Sequence, residues 1–245
     1  MSVVWHEHPD PESAADAAAQ FVRGRLEDAL AGQPLATVAL SGGRGPAALF
    51  GKLARASLAW DRVHFFWVDE RSAPPWRADS NFRLANELLL EPARIPKGQI
   101  HRIEGELRPD LAASRYVDAI REFFALGPQQ MPRFDVAHLG LGADCHTAGL
   151  FPGEPLLEDR SAIAAAVYVE RLSSWRVTLL PGVLLAASHI LFLTTGAEKA
   201  EAVRTVLTGP YNPQRWPAQL ITHHGRHVVW FLDHAAASKE LSAPA

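Results

Sequence analysis

Short apolar runs alternate along the chain with longer stretches whose apolar residues recur at helical spacing. Runs of this kind are typical of strands buried on both faces, and they occupy residues 35–40, 62–70, 133–142, 175–180, 189–196 and 227–233. The helical stretches between them occupy residues 11–32, 47–58, 80–91, 113–126 and 197–209. This alternation predicts an α/β fold with a largely parallel sheet and helices on both faces.

The chain has 245 residues and shows no internal repeat, low-complexity tract or linker, so we expect residues 1–245 to form a single domain. Its 48% hydrophobic and 21% charged residues are ordinary for a globular protein. The formal net charge of −3 gives no general attraction to nucleic acid or to an anionic membrane. We therefore expect neither as a partner, and an anionic ligand would need a local cluster of cations.

The number of cysteines and the length of the apolar segments indicate in which cellular compartment the protein is expected. Cys145 is the single cysteine, which excludes an intrachain disulfide and a CxxC metal site. The N-terminus lacks the basic and apolar regions of a secretory signal. The most apolar stretch, VLLAASHILFLTT, is too short to cross a bilayer and is interrupted by Ser188 and His189. We expect a cytoplasmic protein.

Four polar loops directly follow apolar strands, and they read SGGRGP, DERSAPP, GADCHTAG and TTGAEKA. In an open parallel sheet, ligands bind in the crevice beyond the carboxyl ends of the strands. The four loops are therefore expected to meet at one rim and to form one site.

The glycine loop combines Ser41, Gly42, Gly43 and Arg44 with a helix that begins near Pro46. Its free backbone N–H groups and the helix dipole favour an anion such as phosphate. It is neither a Walker loop nor a GxGxxG dinucleotide turn. Alternatively, the loop is a tight strand–helix turn that binds no ligand.

The second loop carries Asp69, Glu70 and Arg71 at a strand end. Arg71 has the geometry to grip a phosphate or carboxylate with two hydrogen bonds, while either acid would bind sugar hydroxyls or orient the arginine. The alternative is a solvated charge cluster. Ser80 and Asn81 are interpreted as caps of the next helix.

The third loop holds Asp144, Cys145 and His146. Histidine as a residue type titrates near neutral pH, which makes His146 the candidate general base, and Asp144 is close enough in sequence to orient it or to hold a substrate hydroxyl. A Cys–His nucleophilic pair is disfavoured because the side chains of adjacent residues in a turn point apart. Asp-x-His supplies only two metal ligands, so we expect no metal site. The alternative is a histidine that only caps a helix.

Two further cations, Arg176 and Lys199, are candidates for phosphate binding. Lys199 lies in the first turn of a predicted helix, where the dipole repels a cation and a bound anion would relieve the repulsion. The alternative is an ordinary exposed lysine. We interpret His223, His224 and His227 as part of a surface turn.

Together, the four loops resemble the ordered motifs of the 6-phosphogluconolactonase family. The matching stretches lie between about residues 40 and 200 and read SGGRGP, VDERSAPPWRADSNF, LGLGADCHTAGLFPG and RVTLLPGVLLAASHILFLTTGAEKA. The resemblance implies a modified doubly wound sheet. It also implies hydrolysis of 6-phosphoglucono-δ-lactone to 6-phosphogluconate in the oxidative pentose phosphate pathway, with no metal and no organic cofactor.

The resemblance also implies residue roles. His146 would be the general base that activates water, with Asp144 beside it. The residues implied to line the sugar-phosphate pocket are Ser41, Gly42, Gly43, Arg71, Arg176 and Lys199. We add Arg71 as a stabiliser of the oxyanion, and Arg44 and Asp69 as further binding candidates. The expected partner is a small sugar-phosphate lactone, and the protein is expected to be a monomer or a weak homodimer.

Two positions depart from the family pattern. Cys145 stands where the family usually has glycine, and a side chain there costs about 1–2 kcal/mol if the backbone needs a positive φ. Gly45 stands where the family usually has Ser or Thr, which removes a hydroxyl from the phosphate loop; Arg44 is the candidate to compensate. Neither change removes His146, so an active enzyme is expected.

Three alternatives remain. A related aminosugar-phosphate deaminase or isomerase carries an acidic residue in an NEPG-like stretch, where this chain has LFPG with Phe151. A sugar-phosphate sensor would need a DNA-binding segment, for which the 34 residues before the first predicted strand leave no room. A weakened homologue that only binds sugar phosphate is the third.

Overall fold

A computed structural model describes residues 3–43 and 45–241, with side chains described through residue 237. Nine strands lie in these ranges: β1 (Val4–His8), β2 (Ala36–Leu40), β3 (Val63–Trp67), β4 (Asp69–Arg71), β5 (Val136–Leu139), β6 (Ala164–Val169), β7 (Ser174–Leu179), β8 (His189–Thr194) and β9 (Val228–Asp233). The same ranges hold eight α-helices: α1 (Pro11–Gly32), α2 (Pro46–Leu53), α3 (Asn81–Ala85), α4 (Pro109–Phe123), α5 (Pro181–Ala186), α6 (Ala200–Thr208), α7 (Ala218–His224) and α8 (His234–Leu241).

Six strands form a sheet in the order β1-β9-β8-β5-β2-β3, and every pair in it is parallel. Strands β2, β5 and β8 are almost wholly buried, as their largely apolar sequences predict. Helices flank this sheet. The longest of them, α1, packs against five of its strands: β1, β2, β5, β8 and β9. The predicted α/β fold with a largely parallel sheet is confirmed.

A second, antiparallel sheet joins the strands in the order β4-β7-β6. The run predicted as one strand over residues 62–70 divides at Val68. The Val68 N–H donates to the Leu40 carbonyl of the large sheet, while its own carbonyl accepts from Leu179 N of β7. The chain thus passes from one sheet to the other between β3 and β4, which brings Asp69 and Arg71 beside the end of β2.

The sequence does not predict β1, β6, α7 or α8. Strand β1 mixes apolar and polar residues and is largely exposed, so it lacks a buried-strand pattern. Strand β6 begins with three alanines, which have low strand propensity. Helix α7 ends at His223 and His224, so the interpretation of these two residues as a surface turn is wrong. Among the described residues, no helix is both long and apolar enough to span a membrane.

Candidate active site

A cavity of about 430 Å³ lies beyond the carboxyl ends of β8, β5, β2 and β3, which are neighbours in the large sheet. All four polar loops contribute to its wall. The predicted site residues that line it are Ser41, Gly42, Gly43, Asp69, Arg71, His146 and Lys199. Asp144 and Arg176 are not among its lining residues, and Arg44 lies outside the described residues.

The loop after β5 presents the imidazole of His146 to this cavity. The Gly142 N–H donates to the carbonyl of His146 over 2.8 Å, and the Cys145 N–H donates to the carbonyl of Gly142 over 3.0 Å. This tight turn lets the imidazole fold back over Gly142, where an added Cβ would overlap the ring. A side chain at position 142 would therefore displace the imidazole from this position.

Asp144 binds the imidazole from behind. Its Oδ1 lies 2.5 Å from His146 Nδ1. A carboxylate accepts hydrogen bonds, so this contact favours the tautomer with the proton on Nδ1 and leaves Nε2 as the basic nitrogen. The ring also stacks on Phe151, with centroids 4.3 Å apart. The arrangement fixes both the plane and the tautomer of His146.

The second carboxylate oxygen of Asp144 forms an ion pair with Arg171, which lies in the turn between β6 and β7. Burial by itself raises the pKa of Asp144. The hydrogen bond from His146 and the charges of His146 and Arg171 outweigh burial and lower this pKa to about 2. Asp144 is therefore a carboxylate throughout the physiological pH range.

Asn81 connects the second loop to the glycine loop. Its side-chain amide donates to the backbone carbonyl of Asp69 over 2.8 Å, and its Oδ1 accepts a hydrogen bond from Arg71 Nη1. An added Cβ at Gly42 would overlap Asn81, so Gly42 permits this close approach. Arg71 Nη1 also donates to the carbonyl of Asp79 over 2.7 Å. These bonds fix the guanidinium at the cavity wall.

Glu70 has a structural position. It is buried and accepts hydrogen bonds from the backbone N–H groups of Arg71, Asn81 and Phe82 and from the hydroxyl of Ser80. Burial raises its pKa against the opposing effect of these backbone hydrogen bonds. Glu70 thus accepts hydrogen bonds from the first N–H groups of α3, and it does not line the cavity.

Of the two remaining candidate cations, Lys199 lines the cavity and Arg176 does not. Lys199 precedes α6, lines the cavity, and donates from Nζ to the carbonyl of Leu141 over 2.8 Å. Arg176 lies directly opposite Arg71 in the antiparallel β4–β7 pair and donates to Ser174 Oγ over 2.8 Å. Burial, followed by the charge of Arg71, lowers the pKa of Arg176. Two arginines side by side favour a shared anion between them.

Comparisons with known proteins show the family of the chain. A family model described as glucosamine-6-phosphate isomerases/6-phosphogluconolactonase matches residues 9–230. A 6-phosphogluconolactonase from Nostoc sp. is 33% identical over 235 residues, which is 96% of each chain. The chain belongs to this family.

Solved structures extend the likeness to three dimensions. The structure of 6-phosphogluconolactonase from Thermotoga maritima is 31% identical and has a TM-score of 0.81, over 94% of this chain and 99% of that one. A monomeric glucosamine-6-phosphate deaminase aligns with a TM-score of 0.80 at 20% identity, over 96% of this chain and 98% of that one. This second match shows a shared fold only.

Cys145, where the resemblance leads us to expect a glycine, has a φ of 64° and therefore adopts the left-handed conformation. Its side chain packs in the hydrophobic core, with Sγ 3.7 Å from the carbonyl oxygen of Ala202. Burial, with the charges of Asp144 and Glu201, raises the thiol pKa to about 11. A buried, protonated thiol that points away from the cavity is a poor nucleophile.

Three residues with clear geometric roles were missed or misinterpreted in the sequence. Asn81 was interpreted only as part of a helix cap, and Gly142 was not distinguished from the other loop glycines. Arg171 carries no local signal, because its partner Asp144 is 27 positions away. Among the described residues, no three His, Cys, Asp or Glu side chains lie together in a way that could hold a metal ion.

Proposed function

We propose that this member of the family hydrolyses 6-phosphoglucono-δ-lactone to 6-phosphogluconate, with His146 as general base. The observation that carries the proposal is the presence in one cavity of an imidazole, held by Asp144 through Nδ1, and the cations Arg71 and Lys199. Sequence relatives over nearly the whole chain are named 6-phosphogluconolactonases, which supports the same reaction.

We expect the substrate's phosphate on the side of the cavity formed by the glycine loop and Lys199, called the cationic side below. The backbone N–H groups of Gly42 and Gly43 and the start of α2 favour an anion there. Lys199 adds a positive charge next to the same space, and Arg176, which does not line the cavity, lies opposite Arg71 in the β4–β7 pair. Anchoring the phosphate would hold the lactone carbonyl near His146, which reduces the entropic cost of the reaction.

The reaction is then a general-base hydrolysis. Nε2 of His146 takes a proton from water, and the water oxygen attacks C1 of the lactone to give a tetrahedral oxyanion. Backbone N–H groups or Arg71 stabilise the negative charge. As the bond from C1 to the ring oxygen breaks, the imidazolium returns its proton to that oxygen. Such a base typically contributes about 10²–10⁴-fold to the rate.

An aminosugar-phosphate deaminase would require, besides Asp144, a further acidic residue just after the histidine loop to move protons. Phe151 occupies the equivalent position in this chain and stacks on His146. A phenyl ring transfers no proton, so this contact favours the lactonase over the deaminase.

The experiment is timed acid release from freshly prepared 6-phosphogluconolactone, corrected for spontaneous opening. We expect enzyme-dependent release from this lactone and much slower release from unphosphorylated gluconolactone, because the cationic side of the cavity is then unused. Ammonia release from glucosamine 6-phosphate, measured in parallel, is expected to be absent. Ammonia without lactone opening would replace the proposal with the deaminase, and tight 6-phosphogluconate binding without turnover would identify a weakened homologue.

A further inference from the structure

The turn between β6 and β7 reaches from the small antiparallel sheet to the loop of His146. Arg171 lies in this turn, which contains residues 170–172 and ends at Ser173 with a φ of 45°. Its guanidinium forms an ion pair with the oxygen of Asp144 that His146 does not use. Each carboxylate oxygen thus has its own partner, so Asp144 cannot rotate without breaking a charged contact.

A second set of contacts connects Arg171 to the imidazole. The Arg171 guanidinium lies 5.0 Å from the centroid of the Phe151 ring, and that ring stacks on His146. Phe151 is buried in a small apolar cluster with Val167 and Val169 of β6. Strand β6 therefore positions both the aromatic ring and the turn that carries the arginine.

Arg171 also bears on the imidazole through charge, because it pairs with the same carboxylate that holds the ring. An unpaired aspartate beside an imidazole stabilises the imidazolium and makes it a poor base at neutral pH. An arginine on the second oxygen offsets part of that negative charge. Among the described residues that line the cavity with His146, the other ionisable groups are Asp69, Arg71, Glu198 and Lys199.

We propose that Arg171 is a positioning residue that, through Asp144, aims the imidazole of His146 and keeps it in its basic form at neutral pH. This inference rests on the proposed hydrolysis. Nothing in the local sequence of the turn indicates such a role, because it arises only when the small sheet docks against the loop after β5.

The test compares Arg171→Gln, Arg171→Lys and a matched control, Arg115→Gln. Arg115 forms an ion pair with Glu104 at 3.1 Å and its side chain is 56% exposed, against 49% for Arg171, but it lies outside the cavity. Two quantities are measured: the titration midpoint of the His146 imidazole by NMR without substrate, and the acid limb of kcat/KM for the lactone against pH.

We expect Arg171→Gln to raise both midpoints by about half a pH unit to one pH unit, because a half-exposed charge near the imidazole is removed. It should also lower kcat several-fold at neutral pH. Arg171→Lys keeps the charge and should restore most of the midpoint but less of kcat. Arg115→Gln should leave both quantities unchanged.

Unchanged midpoints in Arg171→Gln would overturn the inference, even if that variant were less stable or slower, since a purely structural role leaves the titration in place. The NMR titration needs no turnover, so the two proposals are separable. A shifted midpoint in a protein that opens no lactone would support the Arg171–Asp144–His146 arrangement and contradict the proposed hydrolysis.

Discussion

At the scale of single residues, the shape of the cavity depends on whether positions 142 and 145 carry a side chain. Cys145 takes a left-handed φ, at a cost of about 1–2 kcal/mol. Its burial in the core offsets part of that cost, because apolar surface leaves water. The sequence indicates the departure from glycine, but it does not show where the sulfur packs. That depends on α6, which supplies the carbonyl of Ala202.

Gly142 offers the sharper test at this scale. Its φ is not in the left-handed region, so the need for glycine comes from the imidazole that folds over it. Gly142→Ala should displace His146 and lower kcat by about 10²-fold, since small misplacements of a catalytic group have effects of that size. The control is Gly98→Ala, where an added Cβ meets nothing within 4 Å. Equal kcat in the two variants would mean that the imidazole position is unimportant.

At the scale of elements, the sequence predicts what local pattern determines. The bounds of α1 are predicted at residues 11–32 because its alanine-rich apolar face and its proline start are local signals, and Asp10 and Ser13 add a capping box. The passage from β3 to β4 could not be predicted, because Val68 continues an apolar run and only its hydrogen bonds to Leu40 and Leu179 divide it between sheets. The Asn81 contacts follow from the same non-local geometry.

The start of α2 carries a prediction at this scale. Gly45 has an ordinary helical φ of −58°, and an added Cβ would lie 3.6 Å from the carbonyl oxygen of Leu193, which is a normal contact. Gly45→Ser would therefore place a hydroxyl at the wall of the phosphate side of the cavity. We expect KM for the phosphorylated lactone to fall about three- to tenfold, as one hydrogen bond of ordinary net strength would give.

The matched control for that change is Gly45→Ala, which adds the Cβ without the hydroxyl. KM should be the same as in the original chain. If the alanine variant lowered KM as much as the serine variant, the hydroxyl would not be the cause, and the assignment of the phosphate to this loop would lose its support.

At the scale of the whole molecule, the sheet encloses titratable groups that affect stability. His138 in β5 is fully buried, and burial lowers its pKa to about 4. The unfolded chain takes up this proton near pH 6.5, before the folded chain does. The free energy of unfolding should therefore decrease as the pH falls from about 6.5 to about 4, by on the order of 3 kcal/mol from this group.

Urea unfolding at several pH values tests this against His138→Asn. The side-chain oxygen of asparagine can take the place of His138 Nδ1, which accepts from the Ser41 N–H at 3.4 Å, and it does not titrate. The variant should lose clearly less stability between pH 6.5 and 4.5 than the original chain. An identical loss in both would show that His138 is not the group responsible.

The central claim is that the neutral imidazole of His146, aimed into the cavity by Asp144, activates the water that opens the lactone. The most direct measurement is kcat for His146→Ala on freshly prepared 6-phosphogluconolactone, with spontaneous opening subtracted and 6-phosphogluconate binding measured alongside. The account predicts a fall in kcat of about 10²–10⁴-fold with product affinity retained. Turnover within a few-fold of the original chain would contradict it.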